Sequence, residues 1–368
     1  MRLSGIQPLV PLPRSQWKNA FATLARGAGH CKVKASCKGD VDENEIDEVW
    51  QRLADGDPCH DYDYVVAFRS HLVKLDAPEK CRVVLVSPGP IAICEKAFAF
   101  PFQEALMRHP HTVWGTGWNW DRHGGQILEH QFKDQRRVWS LDFSSFDTCA
   151  PQWLIRAIFG VIKEKFDLTP REDQAFESII ENHLNSTCVF NGSRFALTHG
   201  LRTGSSFTHI LGTLISMFLM EYVGYSNYKC YGDDCIVEGD IKVVRRVLGE
   251  TSYVVHPGKT KRGVHWLGLR LTPNGKWHLQ DPAERIAKML LPEPGKKVHT
   301  LATRMQASIL AAGVDPIVYR WLDMLESTGN HYLTPELKDE LYNWGRCFDG
   351  CDKRTIRELF EYVTAEFY

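Results

Sequence analysis

The feature that most constrains the fold is the segment at residues 228–237, in which two adjacent carboxylates lie between short β-prone arms. Gly232 comes directly before Asp233 and Asp234 and permits a tight turn. The pattern therefore predicts a β-hairpin with the two acids at its tip. Adjacent carboxylates repel each other, so a divalent cation is the expected partner. An exposed Gly-Asp turn without chemistry is the common alternative for such a string.

The composition is that of a soluble globular protein: 368 residues, of which 43% are hydrophobic and 24% charged. The formal net charge is -1, so any nucleic-acid surface has to be a local basic patch. The 11 cysteines are spread along the chain, which indicates a reduced, cytosolic protein and not a disulfide scaffold. The longest apolar run, at 210–220, suits a buried helix, so we expect no membrane insertion.

A second feature is a cationic pair at the start of a β-rich run, residues 80–88. Lys80 and Arg82 are two positions apart, and residues two apart on a strand share a face. Two cations on one face could hold a polyphosphate, the Arg by its fork and the Lys as a point charge. Taken alone, the segment is equally well explained as an edge strand with solubilising charges.

Aromatic side chains are frequent in the Gly-containing segment that follows, which we expect to be irregular. Such rings could stack on bases, although burial in the core is the favoured interpretation for most of them. The rings concerned are Phe98, Phe100, Phe102, Trp114, Trp118 and Trp120.

Further acids and a hydroxyl-rich loop lie between the aromatic segment and the predicted hairpin at 228–237. A predicted strand at 138–141 ends at Asp142, and Asp147 follows with D-x4-D spacing. Acids at the end of a strand lie where α/β-type sheets place their ligands. Residues 200–208 are rich in Gly, Ser and Thr and lead into an apolar helix predicted at 209–223. Such a loop favours phosphate or sugar contacts, or it merely caps the helix.

The order of these features is more specific than any one of them. A Lys-x-Arg strand, a D-x4-D strand, a Gly/Thr loop with its helix, a Gly-Asp-Asp hairpin, a lysine turn and an apolar strand at 265–271 follow one another. This order resembles motifs F, A, B, C, D and E of the viral RNA-dependent RNA polymerases. The resemblance covers about residues 80–271, and the segments 142–155 and 203–208 are most similar to the partitivirus and picobirnavirus group.

The resemblance implies an α+β fold, the right hand of fingers, palm and thumb, with a small antiparallel palm sheet and a helical thumb. The implied divisions are 1–137 for the N-terminal extension and fingers, 138–149 and 198–271 for the palm, 150–197 for a fingers insertion, and 272–368 for the thumb. Thumb helices are predicted at 283–291, 298–312, 315–327, 335–346 and 352–366. Family members are usually longer, so either the extension and thumb are reduced or the chain is a fragment.

The resemblance also implies a reaction, RNA-templated RNA synthesis from nucleoside triphosphates by a two-metal mechanism. Asp142 and Asp233 would bridge two Mg²⁺ ions, for which Mn²⁺ could substitute, and Asp234 would be a weaker or outer ligand. Intact acids in motifs A and C argue against a decayed copy.

Other residues are assigned to substrate by the same resemblance. Lys80 and Arg82 would clasp the incoming triphosphate. Lys259 would protonate the leaving pyrophosphate, with Lys261 as its rival. The substrate-binding candidates of the motif B loop and helix are Thr203, Gly204, Ser205 and Thr208.

Asp147 distinguishes two classes of polymerase. Reverse transcriptases also carry Tyr-x-Asp-Asp, but at this position they have an aromatic ring that excludes a 2′-hydroxyl. A carboxylate instead accepts a hydrogen bond from a 2′-hydroxyl, which favours ribonucleotides. Family members usually carry Asn or Asp where this chain has Gly212. We therefore expect ribose discrimination to rest on Asp147 with one of the motif B hydroxyls, and to be weaker than in those relatives.

The implied partners are the RNA template, the nascent RNA and nucleoside triphosphates, with the viral capsid protein as an additional candidate. The implied role is replication and transcription of a viral genome, in the host cytoplasm or inside the virion. The alternative from another class is a non-catalytic RNA-binding or structural protein. The acids at Asp142 and Asp233 argue against it, because carboxylates repel phosphate unless a cation intervenes.

Overall fold

The computed structural model describes residues 3, 5–71, 79–109, 113–118, 124–284, 287 and 291. The strands are β1 (Tyr64–His71), β2 (Lys80–Val86), β3 (Val138–Leu141), β4 (Phe143–Ser144), β5 (Thr187–Phe190), β6 (Ser193–Ala196), β7 (Tyr228–Tyr231), β8 (Asp234–Glu238), β9 (Val254–Val255), β10 (Lys261–Arg262), β11 (His265–Trp266), β12 (Leu269–Leu271) and β13 (Trp277–Leu279). The α-helices are α1 (Glu43–Ala54), α2 (Gly89–Cys94), α3 (Lys96–Met107), α4 (Gly124–Gln131), α5 (Phe146–Cys149), α6 (Gln152–Lys163), α7 (Pro170–Leu184), α8 (Thr208–Val223) and α9 (Ile241–Leu248).

The sheet that carries the predicted catalytic segment has four strands in the order β10-β3-β8-β7, and all neighbours are antiparallel. The hairpin predicted at 228–237 is therefore present as β7 and β8. In the register of β3 and β8, Leu141 lies opposite Cys235. The next residue of β3, Asp142, consequently reaches the end of the sheet at which β8 begins with Asp234.

A second four-stranded sheet has the order β2-β1-β5-β6 and lies earlier in the chain. The predicted Lys80–Arg82 strand is its edge strand, β2, which pairs antiparallel with β1. The hairpin of β5 and β6 turns at Asn191 and Gly192, whose φ angles are +49° and +77°. Positive φ at both central residues is typical of the type I′ turn that Asn-Gly favours.

Helix α8 is the buried centre of the molecule. It is apolar over most of its surface and packs against β7, α6 and α9, as expected for a largely buried helix. It ends at Gly224, whose φ of +92° is the left-handed C-cap conformation. Among the described residues, no helix combines the length and the apolar character needed to cross a bilayer.

Two expectations need correction. The strand predicted at 265–271 is two short strands, β11 and β12, because Leu267 and Gly268 form a turn with φ angles of +47° and +86°. The aromatic segment is not irregular throughout, since its first part is α3. The buried rings in this segment, which confirm the core interpretation for these positions, are Phe98, Phe102, Trp114 and Trp118.

The predicted thumb helices from 298 onward lie outside the described residues, as does most of the helix predicted at 283–291. Trp120 also lies outside them. The division of the chain into fingers, palm and thumb stays a prediction.

Candidate active site

The hairpin of β7 and β8, which is predicted to be catalytic, turns through Gly232 and Asp233, because Tyr231 pairs with Asp234 across the two strands. Gly232 has a φ of +61°, which an L side chain rarely adopts. Glycine at the first central position of a two-residue loop is the type II′ pattern, which suits the twist of the flanking strands. The turn presents both acids at the end of the sheet.

The carboxylates of Asp142, Asp233 and Asp234 influence one another electrostatically. Asp234 is accessible to solvent, but the protein packed around it disfavours its charged form. This desolvation, together with the negative charges of Asp233 and Asp142, raises the pKa of Asp234 to about 6. A cation bound among these groups would remove that repulsion and favour the ionised form.

The donor set suits a hard divalent ion. Among the described residues, no three His, Cys, Asp or Glu side chains converge on one point as a closed metal cage. Mg²⁺ characteristically takes one or two carboxylates and keeps water or substrate phosphate as its remaining ligands. Asp142 with Asp233 or Asp234 matches that open arrangement, since the Asp142 side chain is 42% exposed.

The turn that carries Lys259 is attached to Asp142. The amide of His256 donates to the carbonyl of Asp142 at 2.7 Å, and the amide of Asp142 donates to Oγ1 of Thr260 at 3.2 Å. The Lys259 ammonium consequently lies 3.8 Å from Oδ1 of Asp142. Lys261 takes a different direction, because its ammonium donates to the side-chain oxygen of Gln280 at 3.0 Å.

Asp147 reaches the site because the chain bends sharply after β4. Ser145 has a φ of +53°, which is uncommon for a residue with a side chain and is frequent at functional sites. The bend starts α5, in which Asp147 lies. Desolvation and the negative charge of Asp233 raise the pKa of Asp147, and the positive charge of Arg82 opposes this effect.

A cavity of about 930 Å³ is lined by Asp147 and Asp233, whereas Asp142, Asp234 and Lys259 lie outside its described lining. This volume is within the range of clefts that hold small-molecule ligands. Six of the predicted site residues line it: Asp147, Thr203, Gly204, Ser205, Thr208 and Asp233. Lys80 and Arg82 are exposed on β2 and lie outside this lining.

The motif B loop is fastened to the end of β2. Oγ1 of Thr203 accepts a hydrogen bond from the amide of Leu85 at 2.8 Å. At Gly204, an added Cβ would lie 2.4 Å from both the carbonyl oxygen of Leu85 and the amide nitrogen of Ser87. Only glycine allows this approach of two backbones. The loop and the strand with the cationic pair therefore form one wall of the cavity.

Hydroxyl groups that the sequence assigns to substrate are bonded within the protein. Oγ of Ser205 donates to Oε1 of Glu95 at 2.9 Å. Oγ1 of Thr208 lies 2.5 Å from the carbonyl oxygen of Arg202 and 2.8 Å from that of Ser205. A substrate contact by either hydroxyl would require sharing or exchanging these bonds.

Two buried charged residues that shape this loop were not singled out from the sequence. Glu95 accepts from Ser205 and from the amide of Ser206, and burial raises its pKa to about 7 against these bonds. The guanidinium of Arg202 donates to Oγ of Ser186 and to backbone carbonyls of Leu184, Leu197, His199 and Gly200. Their roles depend on distant contacts, and sequence spacing carries no signal of them.

Three residues of α8 were also missed. The hydroxyl of Thr213 accepts a hydrogen bond from the backbone amide of Gly232, and the hydroxyl of Ser216 donates to the backbone carbonyl of Gly232. His209 lines the cavity, with its ring centroid 4.1 Å from that of Tyr231. A signal was available, because polar residues at 209, 213 and 216 share one face of an otherwise apolar helix.

This arrangement defines a class of protein: a palm sheet with paired acids at one end, a lysine turn beside them and a nucleotide-sized cavity in front. The family model described as viral RNA-dependent RNA polymerase matches residues 26–291. The chain belongs to the viral RNA-dependent RNA polymerase family. Members of this family generally use divalent metal ions.

Individual proteins support the same family. The RNA-directed RNA polymerase of Cryptosporidium parvum virus 1 (strain KSU-1) is 25% identical over an alignment of 181 residues, which covers 45% of this chain and 34% of that protein. The genome polyprotein of Encephalomyocarditis virus is 30% identical over 140 residues, or 34% of this chain and 6% of the polyprotein. The aligned parts are thus about a third or less of these relatives.

Solved structures have the same fold. The Sicinivirus 3Dpol RNA-dependent RNA polymerase matches with a TM-score of 0.74 at 18% identity, covering 93% of this chain and 82% of that one. A human picobirnavirus RNA-dependent RNA polymerase matches with a TM-score of 0.68 at 14% identity, covering 98% and 77%. The predicted right-hand α+β fold and the predicted family are confirmed.

Proposed function

We propose that this chain catalyses template-directed synthesis of RNA from nucleoside triphosphates on an RNA template. The observation that carries the proposal is the β3–β8 register, which places Asp142 at the end of the palm sheet where Asp233 and Asp234 form the hairpin tip. A non-catalytic RNA-binding protein would have no use for mutually repelling acids at that place, because they would also repel RNA phosphate.

The acids would hold two Mg²⁺ ions, with Mn²⁺ as a substitute. Asp142 and Asp233 are the principal ligands in this proposal, and Asp234 is secondary. When bound, the ions would favour ionisation of the primer 3′-hydroxyl and neutralise the triphosphate. Asp233 lines the cavity, so an ion that it holds would lie next to the space available to a nucleotide.

Lys259 is the proposed general acid for the leaving pyrophosphate. Its ammonium lies 3.8 Å from the Asp142 carboxylate, on a turn whose backbone is bonded to Asp142. A proton donor has to lie within reach of the reacting phosphates, and this turn supplies one. The bond between Lys261 and Gln280 makes Lys261 the weaker candidate.

Recognition of the ribose is assigned to Asp147, whose carboxylate can accept from a 2′-hydroxyl. Gly212 lines the cavity, and a Cβ there would meet neighbouring atoms at 3.5 Å or more, so the wall would accept a small side chain at this position. We add His209 to the candidates, because it lines this cavity and its Nε2 has no hydrogen-bond partner among the described residues. Lys80 and Arg82 remain the proposed contacts of the triphosphate.

The proposed partners are template RNA, nascent RNA and nucleoside triphosphates, with a capsid protein as a further candidate. The proposed setting is replication and transcription of a viral RNA genome in the host cytoplasm or inside the virion. The names of the relatives support the polymerase activity, and the location follows from the family alone.

The decisive experiment is incorporation of a labelled ribonucleotide on an RNA template with and without Mg²⁺, comparing the wild type with Asp233→Asn. Removing a ligand that helps stabilise transition-state charge should cost about 3 kcal/mol or more, on the order of a hundredfold in rate. Asp167→Asn is the matched control, because Asp167 is exposed and has no side-chain partner among the described residues. Full incorporation by Asp233→Asn would overturn the site.

A further test separates the two classes of polymerase. The wild type should prefer ribonucleotides over deoxyribonucleotides, and Asp147→Ala should lose most of that preference while it retains incorporation of both. A wild type that prefers deoxyribonucleotides would favour the reverse-transcriptase alternative.

A further inference from the structure

A second cleft, of about 760 Å³, lies at the end of the palm sheet opposite the catalytic acids. One wall consists of residues 133–136, just before β3, and the other of residues 262–273, which include β11 and β12. Asp142 follows the C-terminal end of β3, so one strand length separates the two places, about 13 Å for four residues. We call this cleft the basic cleft.

The charge of the basic cleft is strongly positive although the chain has a net charge of -1. Four of its lining residues are cationic: Lys133, Arg136, Arg262 and Arg270. The acid among them, Asp134, accepts a hydrogen bond from Nε of Arg136 at 2.9 Å. In the described part of the chain, Lys133 and Arg270 have no ion-pair partner.

The walls of the basic cleft are fastened together. Nε and Nη2 of Arg262 donate to the backbone carbonyl of Arg136 at 2.9 and 2.6 Å. The side-chain amide of Gln135 donates to the carbonyl of Thr272 at 3.3 Å. A guanidinium has five N–H donors, so Arg262 keeps three for another partner after these two bonds. These bonds hold the two walls of the basic cleft, and Arg262 itself, in a defined position.

The surroundings of His265, one of the residues that line the basic cleft, indicate a positive electrostatic potential there. Nδ1 of His265 is buried and has no hydrogen-bond partner among the described residues. Burial lowers the pKa of His265, and the positive charges of Lys261 and Arg270 lower it further, whereas hydrogen bonds with the Arg262 carbonyl and the Gln280 side chain raise it. The charged groups that act on this ring are thus cationic, and an anion placed among them would be stabilised.

We propose that the basic cleft binds the phosphate backbone of single-stranded RNA outside the catalytic centre. Guanidinium forks match phosphate in a bidentate manner, and three of the four cations are arginines. The described lining residues include only two apolar side chains, Leu271 and Pro273, which favours a backbone ligand over one recognised by apolar contacts. The proposal rests on the proposed function in one respect, namely that RNA is the polyanion at hand.

The test is the salt dependence of binding of a fluorescent oligoribonucleotide to the whole chain. For single strands the logarithm of the affinity falls with the logarithm of salt by about 0.7 for each phosphate contact. Arg136→Gln with Arg270→Gln should therefore make the slope shallower by up to about 1.4. Arg245→Gln with Arg246→Gln is the matched control, because both are exposed on α9 and the charge change is equal.

The expected result is a reduced slope for the cleft variant and a wild-type slope for the control variant. Lys133→Gln with Arg270→Gln is a second cleft variant that leaves Arg136 in place and should have the same effect. Equal slopes for the cleft and control variants would overturn the proposal. So would displacement of the oligonucleotide from the wild type by poly-glutamate at equal charge, since that would indicate a general anion surface.

This test is independent of the polymerase assay. At low salt and saturating short template, the cleft variants should incorporate nucleotide at the wild-type rate. A chain that binds RNA through the basic cleft but incorporates nothing would refute the proposed function and leave the cleft assignment standing.

Discussion

The backbone amide and carbonyl of Gly232, at the turn between β7 and β8, are both hydrogen bonded to buried hydroxyls of α8. Oγ1 of Thr213 accepts from the Gly232 amide at 2.9 Å and donates to the carbonyl of His209 at 2.8 Å. Oγ of Ser216 donates to the Gly232 carbonyl at 2.6 Å. Both hydroxyl-bearing residues are 0% exposed. Water therefore has no ready access to replace these bonds.

Replacing Thr213 by Val retains the shape but removes the acceptor of the Gly232 amide. A buried donor without a partner costs about 1–3 kcal/mol. A small displacement of the turn can give the Gly232 amide another partner. The change should therefore alter the position of the turn and not the stability of the whole fold. Asp233 and Asp234 move with the turn. If the cost falls on their arrangement, the catalytic rate should fall by about 5- to 150-fold.

The assay is single-turnover incorporation of one ribonucleotide, with titrations of Mg²⁺ and of the nucleotide. For Thr213→Val we expect a lower kcat and a higher Mg²⁺ requirement, a KM for nucleotide close to that of the wild type, and little change in Tm. Thr213→Ser should restore most of the activity, because it restores the hydroxyl. Thr116→Val is the matched control, since Thr116 is also buried but its hydroxyl has no partner among the described residues.

Two results would refute this reasoning. One is a Thr213→Val enzyme with wild-type kcat and wild-type Mg²⁺ dependence, which would show that the bond to Gly232 does not position the acids. The other is a Thr213→Ser enzyme as defective as Thr213→Val, which would assign the effect to packing of the methyl group.

Three further predictions concern the walls and charges of the site. Gly204→Ala should lower Tm and incorporation together, because its Cβ would lie 2.4 Å from two backbone atoms, whereas Gly160→Ala in α6 meets nothing within 4 Å and should raise stability by about 0.5–1 kcal/mol in thermal or urea unfolding. The pKa of Asp234 is raised to about 6, so the metal-free folded state binds a proton at this carboxylate more tightly than the unfolded state does. The Tm of the wild type should therefore fall relative to that of Asp234→Asn as pH rises from about 4 through 6. Added Mg²⁺ should cancel this difference. Lys259→Gln should reduce kcat by about 10²-fold or more, as expected for a general acid, and Lys261→Gln should have a much smaller effect in the same incorporation assay; equal effects would contradict the assignment to Lys259.

Local patterns predicted the elements that carry most of the site. Asn191-Gly192 between β-prone arms is a local hairpin signal, and β5 and β6 form that hairpin. The capping box of Thr169 and Glu172, with Pro170 as the first helical residue, is a local signal for the start of α7. Gly232 before two acids predicted the catalytic hairpin, which β7 and β8 form. These signals are local because they depend on φ preferences and on side chains that bond to their own backbone.

Local patterns failed where two segments compete or meet. Residues 265–271 have an apolar run typical of one strand, but the turn at Leu267 and Gly268 divides it so that β12 can pair with both β11 and β13. The hydroxyls of Ser205 and Thr208 suited a substrate by composition. Their bonds to Glu95 and to the backbone at Arg202 and Ser205 could be known only from the packed structure.

The sequence by itself determined the order of motifs, the identity of the acids and hence the family, because each motif is a short string whose chemistry is local. The tertiary structure alone decided which groups meet. It placed Asp142 beside the acids of the hairpin through the β3–β8 register, and it brought Lys259, not Lys261, to Asp142. The physical reason is that these contacts join residues about a hundred positions apart in the chain. Their proximity depends on the burial of α8 and on strand pairing, and the side chains next to them in the sequence do not determine it.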